Sequence, residues 1–387
     1  MNPVLAGIGP SLIRELNSRK QPGDIDLGLG EPRLAPDGAL LAEAAAWAAD
    51  GCRYGPNAGD AELRGIVAGH FGYGGLDHAE NVCITVGSQE AIFLAIKTLC
   101  DPARHEVLVV EPAYPLYRKI AQMEGVPSCG VDLPAETGFA LRAGRVLAAV
   151  SDRTRLIVLC SPGNPTGRIA PRSELVELAL GLLQRSDPPF VLVDEAYREL
   201  YLGDDPPPQL ADLYPRTVVA GSLSKSNALT GLRLGWLMGP TDAIAAATRV
   251  HQLVLTSAST LSQRVASLLF ENHRLGDHRA HYQASWTAYR AALAAHGLYH
   301  VIPEGGFYAM VRLPEWLASD GVQAAFDLQA AGGVVAIPGE AFGEAARGWL
   351  RTSFVASATD LAEGAARMAR FFERARRAGI AGSRGPR

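Results

Sequence analysis

The chain is poor in lysine. Lys20, Lys97, Lys119 and Lys225 are the only four among 36 lysines and arginines in 387 residues. Arginine carries the positive surface, so each lysine invites a chemical reason. Cysteine is equally sparse: five residues, an odd number, scattered and without a CxxC pair. That argues against a disulfide framework and reads as core thiols in a reducing cytoplasm. No apolar run reaches the length of a membrane span before Gly, Pro or a charge interrupts it. The first twenty residues lack the apolar centre of a secretory signal. There is no excess of positive charge either: net charge is −4 and the pI about 6.2, which argues against nucleic acid or an anionic membrane as partner. Repeats and low-complexity blocks are missing too. What is present is a globular composition, 48% apolar and 20% charged, long enough for two packed domains.

From about residue 81 to 240, short apolar runs alternate with helical patterns. Val82–Val86, Glu106–Val110, Arg155–Leu159, Phe190–Val193, Val218–Ala220 and Leu234–Met238 are β-branched or Leu-rich and closed by Gly, Pro or Asp, the pattern of buried strands. Between them lie helical stretches such as Gln89–Leu99, Tyr114–Glu124 and Arg172–Gln184. This alternation predicts an α/β fold with a mostly parallel central sheet sandwiched by helices, and a ligand at the carboxyl ends of the strands. From about Gly276 the pattern shifts to a long helix (His278–Leu293), strands over Phe307–Arg312, Val334–Ile337 and Trp349–Phe354, and a terminal helix over Thr359–Arg377. We expect a large domain over residues 45–275 and a smaller α+β domain formed by 1–44 and 276–387, with a frayed tail from Ile380.

Lys225 lies in Ser222-Leu223-Ser224-Lys225, after the apolar run Val218–Ala220, and Arg233 follows in Gly231-Leu232-Arg233. Lysine can form a Schiff base once its pKa is lowered; arginine cannot. A covalent lysine followed by an arginine suited to a phosphate suggests pyridoxal phosphate. Val86-Gly87-Ser88-Gln89 ends a strand and opens a helix, and helix N-termini suit phosphates; Ser88 as an ordinary cap is the plainer alternative. Ser161-Pro162-Gly163-Asn164-Pro165-Thr166-Gly167 is a turn after a strand, and Asn164 there can donate to an oxyanion. In Val193-Asp194-Glu195-Ala196-Tyr197 a carboxylate ends a buried strand, which is costly unless paired. A protonated pyridine nitrogen would pair with Asp194, and Tyr197 could reach a phenolate on the same ring. Tyr114, in Glu111-Pro112-Ala113-Tyr114, could stack on a planar cofactor.

The set and its order resemble the fold-type I pyridoxal-phosphate enzymes, class I/II aminotransferases (the aspartate aminotransferase-like superfamily). The likeness runs from Gly28-Leu29-Gly30-Glu31-Pro32 to Leu350-Arg351-Thr352-Ser353-Phe354. The resemblance implies a ping-pong aminotransferase that works through a Lys225 aldimine and moves an amino group from an L-amino acid to a 2-oxo acid. It implies Lys225 as proton shuttle, Asp194 on the pyridine nitrogen, Tyr197 and Asn164 on the phenolate, and Tyr114 stacked on the ring. Ser88, Gln89, Ser222 and Arg233 would hold the phosphate. Arg351 would grip the α-carboxylate, with Gly30 lining that pocket. Tyr54 resembles a tyrosine that reaches the phosphate of a neighbouring subunit, implying a homodimer. No metal is implied. Where the family often reads GEPDF, this chain has Glu31-Pro32-Arg33-Leu34, and we expect Arg33 near an acidic substrate side chain. A carbon–sulfur β-eliminating lyase on the same fold remains the alternative. A DNA-binding regulator built on the fold does not fit motifs that begin near residue 28 in an acidic chain.

Overall fold

A computed structural model of the chain describes Val4 and residues 8–72, 74–271 and 278–378; the tail expected to fray from residue 380 lies outside the described residues. The strands among the described residues are β1 (Ile25–Asp26), β2 (Val82–Thr85), β3 (Glu106–Glu111), β4 (Ser128–Asp132), β5 (Thr154–Cys160), β6 (Phe190–Asp194), β7 (Thr217–Ser222), β8 (Gly235–Met238), β9 (Tyr308–Arg312), β10 (Val334–Val335), β11 (Ile337–Pro338) and β12 (Trp349–Ser353). The central sheet has seven strands in the order β2-β8-β7-β6-β5-β3-β4. β8 runs antiparallel to β2 and β7, and the other neighbours are parallel. Every residue of β6 and β7 is buried, which is why they read as continuous apolar runs rather than alternating ones. Helices cover both faces. The helix Ser88–Leu99 packs Ala91, Ile92 and Ala95 against Leu192, Val218 and Leu237 on one side. The helix Arg172–Leu183 packs Leu175, Leu178 and Leu182 against the sheet with Ile157 and Val191 on the other.

The sequence pattern passes over β4, and the reason is local. Within Ser128-Cys129-Gly130-Val131-Asp132 only Val131 is buried, and this edge strand is held by its ladder with β3 instead of by an apolar stripe. The helix expected from Tyr114 starts at Leu116, behind Pro115, whose fixed φ suits the residue that leads into a helix. The run predicted as one strand over 334–337 divides between two partners: β10 pairs parallel with β1, and β11 pairs antiparallel with β12.

A second, three-stranded sheet has the order β11-β12-β9. The helices Arg279–Ala295 and Ala358–Arg377 share its core: Tyr282, Tyr289, Met368 and Phe372 pack with Phe307, Val335 and Leu350. Leu16 and Leu27, far earlier in the chain, are fully buried in the same core. The early segment therefore folds onto the late one, and residues 26–30 pass beside β12: Ser353 donates its backbone N–H to the Leu27 carbonyl at 2.7 Å.

Candidate active site

Five strands of the central sheet deliver side chains to its carboxyl edge. After β2 the chain turns through Gly87, at φ +78, into Ser88 at the start of a helix with no side-chain cap. The left-handed φ favours glycine, and a Cβ there would stand 2.6 Å from Arg233 Nη2, the movable end of that side chain. β3 leads to Tyr114, β5 to Asn164, β6 ends on Asp194, and β7 ends on Ser222 before the short helix Leu223–Ser226 that carries Lys225. Parallel register sets Asp194 between Cys160 and Ala220.

These residues line one cavity of about 590 Å³. Ser88, Gln89, Tyr114, Asn164, Asp194, Tyr197, Ser222, Lys225, Arg233, Gly30 and Arg351 all face it. Tyr54 does not: it is 91% exposed, away from this chain's own cavity. Arg33 is exposed as well and is not among the lining residues.

Asp194 is 5% exposed. One carboxylate oxygen accepts from the Tyr117 hydroxyl at 2.7 Å and the other from the Ala196 N–H at 3.1 Å. Burial raises its pKa above the usual carboxylate range, while the Tyr117 bond, the Ala196 N–H and the charge of Lys225 pull the other way. Such a carboxylate is short of positive charge. Lys225 Nζ donates to the Gly30 carbonyl at 2.8 Å. Gly30 is close-packed: a Cβ would fall 1.7 Å from the Tyr308 hydroxyl. Ser222 Oγ donates to the Leu234 carbonyl at 2.9 Å and accepts from the Ser224 N–H at 3.0 Å. Arg233 Nη1 donates to the Thr230 carbonyl at 3.1 Å and Nη2 to the Val86 carbonyl at 3.4 Å.

Arg351 is the unusual group. It is 2% exposed, with its guanidinium 4.3 Å from the Tyr308 ring centroid and 4.9 Å from that of Phe342. It donates to Asn164 Oδ1 at 3.2 Å and to the Gly28 carbonyl. Its Nε has no partner, and none of the ion pairs among the described residues includes it. A buried cation without a counter-charge is expensive, so this one is set to receive an anion, and its planar fork suits a carboxylate.

Two tyrosines in the site escaped the sequence reading. Tyr117 supports Asp194, and its only signal was its place one helical turn after Tyr114. Tyr308 sits between Tyr197, whose hydroxyl donates to it at 3.3 Å, and Arg351. Its signal was the preceding Gly305-Gly306, where the chain runs close to Pro162 and Tyr197. Burial, reinforced by Tyr308, pushes the Tyr197 phenol well up. Among the described residues there is no group of three or more His, Cys, Asp or Glu suited to a metal, and no helix long and apolar enough to cross a membrane.

The family model "Aminotransferase class I and II" matches residues 22–368. The chain is 32% identical to the probable N-acetyl-LL-diaminopimelate aminotransferase of Bacillus subtilis (strain 168), over 98% of this chain and 97% of that protein. It is 33% identical to the aspartate/prephenate aminotransferase of Thermus thermophilus, over 94% of each. Among solved structures, aspartate aminotransferase from Thermus thermophilus with maleate superposes with a TM-score of 0.87 at 29% identity, covering 96% of this chain and 99% of that one. The names of these relatives all describe amino-group transfer and none a lyase. A cavity that joins Lys225 to the buried Asp194 on the expected sheet, together with a family match over nearly the whole chain, makes this protein an enzyme of the class I and II aminotransferase family.

Proposed function

We propose that the enzyme binds pyridoxal 5'-phosphate at the carboxyl edge of the central sheet and moves an amino group from an L-amino acid to a 2-oxo acid. The residues fit that cofactor. Gly87 leaves the space in which a Cβ would meet Arg233, and the uncapped helix start at Ser88 offers backbone N–H groups to an anion. Ser88, Gln89, Ser222 and Arg233 would hold the phosphate. Asp194, buried and short of positive charge, would hold a protonated ring nitrogen. Tyr197 and Asn164 would hydrogen-bond the ring oxygen, and Tyr114 would stack on the ring. When bound, the cofactor supplies an electron-withdrawing ring that stabilises negative charge at the substrate α-carbon.

The chain's own residues do the rest. Arg351 binds and orients the substrate carboxylate, with Gly30 forming the adjacent wall. Lys225 would hold the cofactor covalently through its Nζ, and the same amine would carry the substrate α-proton. The kinetics are ping-pong. Tyr54, 91% exposed, would serve the phosphate site of a second copy in a homodimer. We read residues 45–275 as the cofactor-binding domain and residues 1–44 with 276–387 as the smaller domain, the pairing of β1 with β10 supporting that division. Five unpaired cysteines support a cytoplasmic setting.

The observation that carries this reading is the buried, counter-charge-free Arg351 sharing one cavity with Lys225 and Asp194. The test is the visible spectrum of the cofactor-loaded protein as single amino acids are added, followed by 2-oxoglutarate or pyruvate. We expect an amino acid to abolish the long-wavelength band and a 2-oxo acid to restore it. Ammonia and a 2-oxo acid accumulating from one amino acid, with the band unchanged, would overturn the reading in favour of elimination.

A further inference from the structure

The charge balance of the cavity points beyond the general reaction. Its walls carry five cations, Arg14, Lys119, Lys225, Arg233 and Arg351, and one carboxylate, Asp194. On the proposed function above, on which this inference rests, three of the five have work: Lys225 with the cofactor, Arg233 with its phosphate, and Arg351 with the α-carboxylate. Arg14 and Lys119 are left over. Both stand on the wall made by the early segment and the helix Leu116–Met123.

Arg14 belongs to the first turn of the helix Leu12–Ser18. Its neighbour Glu15 is already taken by Arg19 at 2.7 Å, and no carboxylate among the described residues pairs with the Arg14 guanidinium. Lys119 Nζ donates to the Gly9 carbonyl at 3.0 Å, which ties the early segment across the cavity without neutralising the charge. Arg14, Tyr114 and Arg351 line the same cavity, and the Tyr114 hydroxyl feels both guanidinium charges. A substrate with a single carboxylate satisfies Arg351 and leaves this wall with uncompensated positive charge. A substrate with a second anionic group satisfies both.

We infer that Arg14 is a specificity-determining residue and that the enzyme prefers dicarboxylic amino and 2-oxo acids, with Arg14 reading the side-chain carboxylate and Lys119 reinforcing the field. Arg14 is exposed, so its attraction is screened by salt, and the preference shrinks as ionic strength rises. A phosphomonoester side chain shares this chemistry, and the test separates the two.

The experiment measures dissociation constants of the cofactor-loaded enzyme by calorimetry for two non-reacting acids, succinate and butyrate, in the wild type, Arg14→Gln and Arg33→Gln. Donor half-reactions with L-aspartate, L-glutamate, O-phospho-L-serine and L-alanine are run in parallel. We expect succinate to bind the wild type at least about tenfold more tightly than butyrate, the size of one charge-assisted contact. Arg14→Gln should erase the gap, and Arg33→Gln should keep it. L-aspartate or L-glutamate should lose about tenfold in kcat/KM in Arg14→Gln while L-alanine stays within about threefold. Equal binding of the two acids by the wild type overturns the inference, as does a gap that survives Arg14→Gln or one that disappears only in Arg33→Gln. A clear preference for O-phospho-L-serine over both dicarboxylic donors overturns the carboxylate assignment. If no amino acid reacts although the succinate gap depends on Arg14, the proposed function fails while the anion site stands.

Discussion

The two walls of the cavity are built on different principles. On the sheet wall, the polar groups are already satisfied by the chain: Asp194 holds Tyr117 and Ala196, and Ser222 holds Ser224 and Leu234. On the opposite wall, Arg351 leaves its Nε without a partner, and Arg14 lines the cavity with no acid paired to it among the described residues. The first wall is pre-organised for a resident group. The second is short of negative charge until a substrate supplies it. Fixed dipoles in a dry site favour a permanent cofactor, whereas unmet cations favour a ligand that comes and goes.

The sharpest way to break this contrast is Lys225→Ala, which removes the group proposed to hold the cofactor covalently. Turnover should fall on the order of 10⁴-fold, while equilibrium dialysis still finds pyridoxal phosphate bound, because Ser222, Arg233 and the helix start at Ser88 remain. Retained amino-group transfer would remove Lys225 from the mechanism. Next in size is Arg351→Ala. With the fork gone, kcat/KM should drop roughly a hundredfold, chiefly through KM. Arg351→Lys should recover only part of that, since a point charge cannot make the bidentate contact. Steady-state kinetics with the best donor checks both, and a full recovery by lysine would show that charge alone, and not the fork, does the reading.

Tyr117→Phe probes the sheet wall more gently. It deletes a bond that stabilises the ionised form of Asp194, so the Asp194 pKa should rise further. If Asp194 works ionised, the acid limb of the kcat/KM profile moves to higher pH and the rate at neutral pH falls about tenfold. A lower rate with an unmoved acid limb would make Tyr117 a packing residue only.

The same contrast decides what could be read before folding. The sheet wall was legible because each of its groups follows a buried apolar strand, and a polar residue there stands out: Asp194 after Phe190–Val193, Lys225 after Val218–Ala220. Even so, the reading overlooked Tyr117, whose apolar ring packs into the core while only its hydroxyl serves the site. The substrate wall was far less legible. Arg351 was placed only through family resemblance, and it reaches the cavity because β12 pairs with β9 and β11, contacts between segments remote in sequence. Arg33 looked close to the substrate by its place after Glu31-Pro32, yet it is exposed and does not line this chain's cavity, whereas Arg14, on a helix earlier in the chain, does. No local pattern could reveal that, since the early segment is brought to the cavity by the burial of Leu16 and Leu27 among residues from the other end of the chain.

The smallest effect tests whether Asp194 is as short of positive charge as its burial implies. Burial makes the folded chain hold the Asp194 proton more tightly than the unfolded chain does. Between the unfolded carboxylate value, about 3.9, and the raised folded value, the folded state therefore carries the extra proton. Stability contributed by this group is fully present below the unfolded value and is lost as pH rises through the folded one. Asn does not titrate, so in cofactor-free protein the melting temperature of the wild type relative to Asp194→Asn should decline as pH rises from about 3.9 and then level off. Loading with pyridoxal phosphate should flatten that decline, because a protonated ring nitrogen gives the ionised carboxylate its missing partner. A difference that instead grows with pH in the cofactor-free protein would mean that Tyr117, Ala196 and the nearby Lys225 already outweigh burial. The sheet wall would then be complete without its cofactor, and the contrast between the two walls would be deeper still.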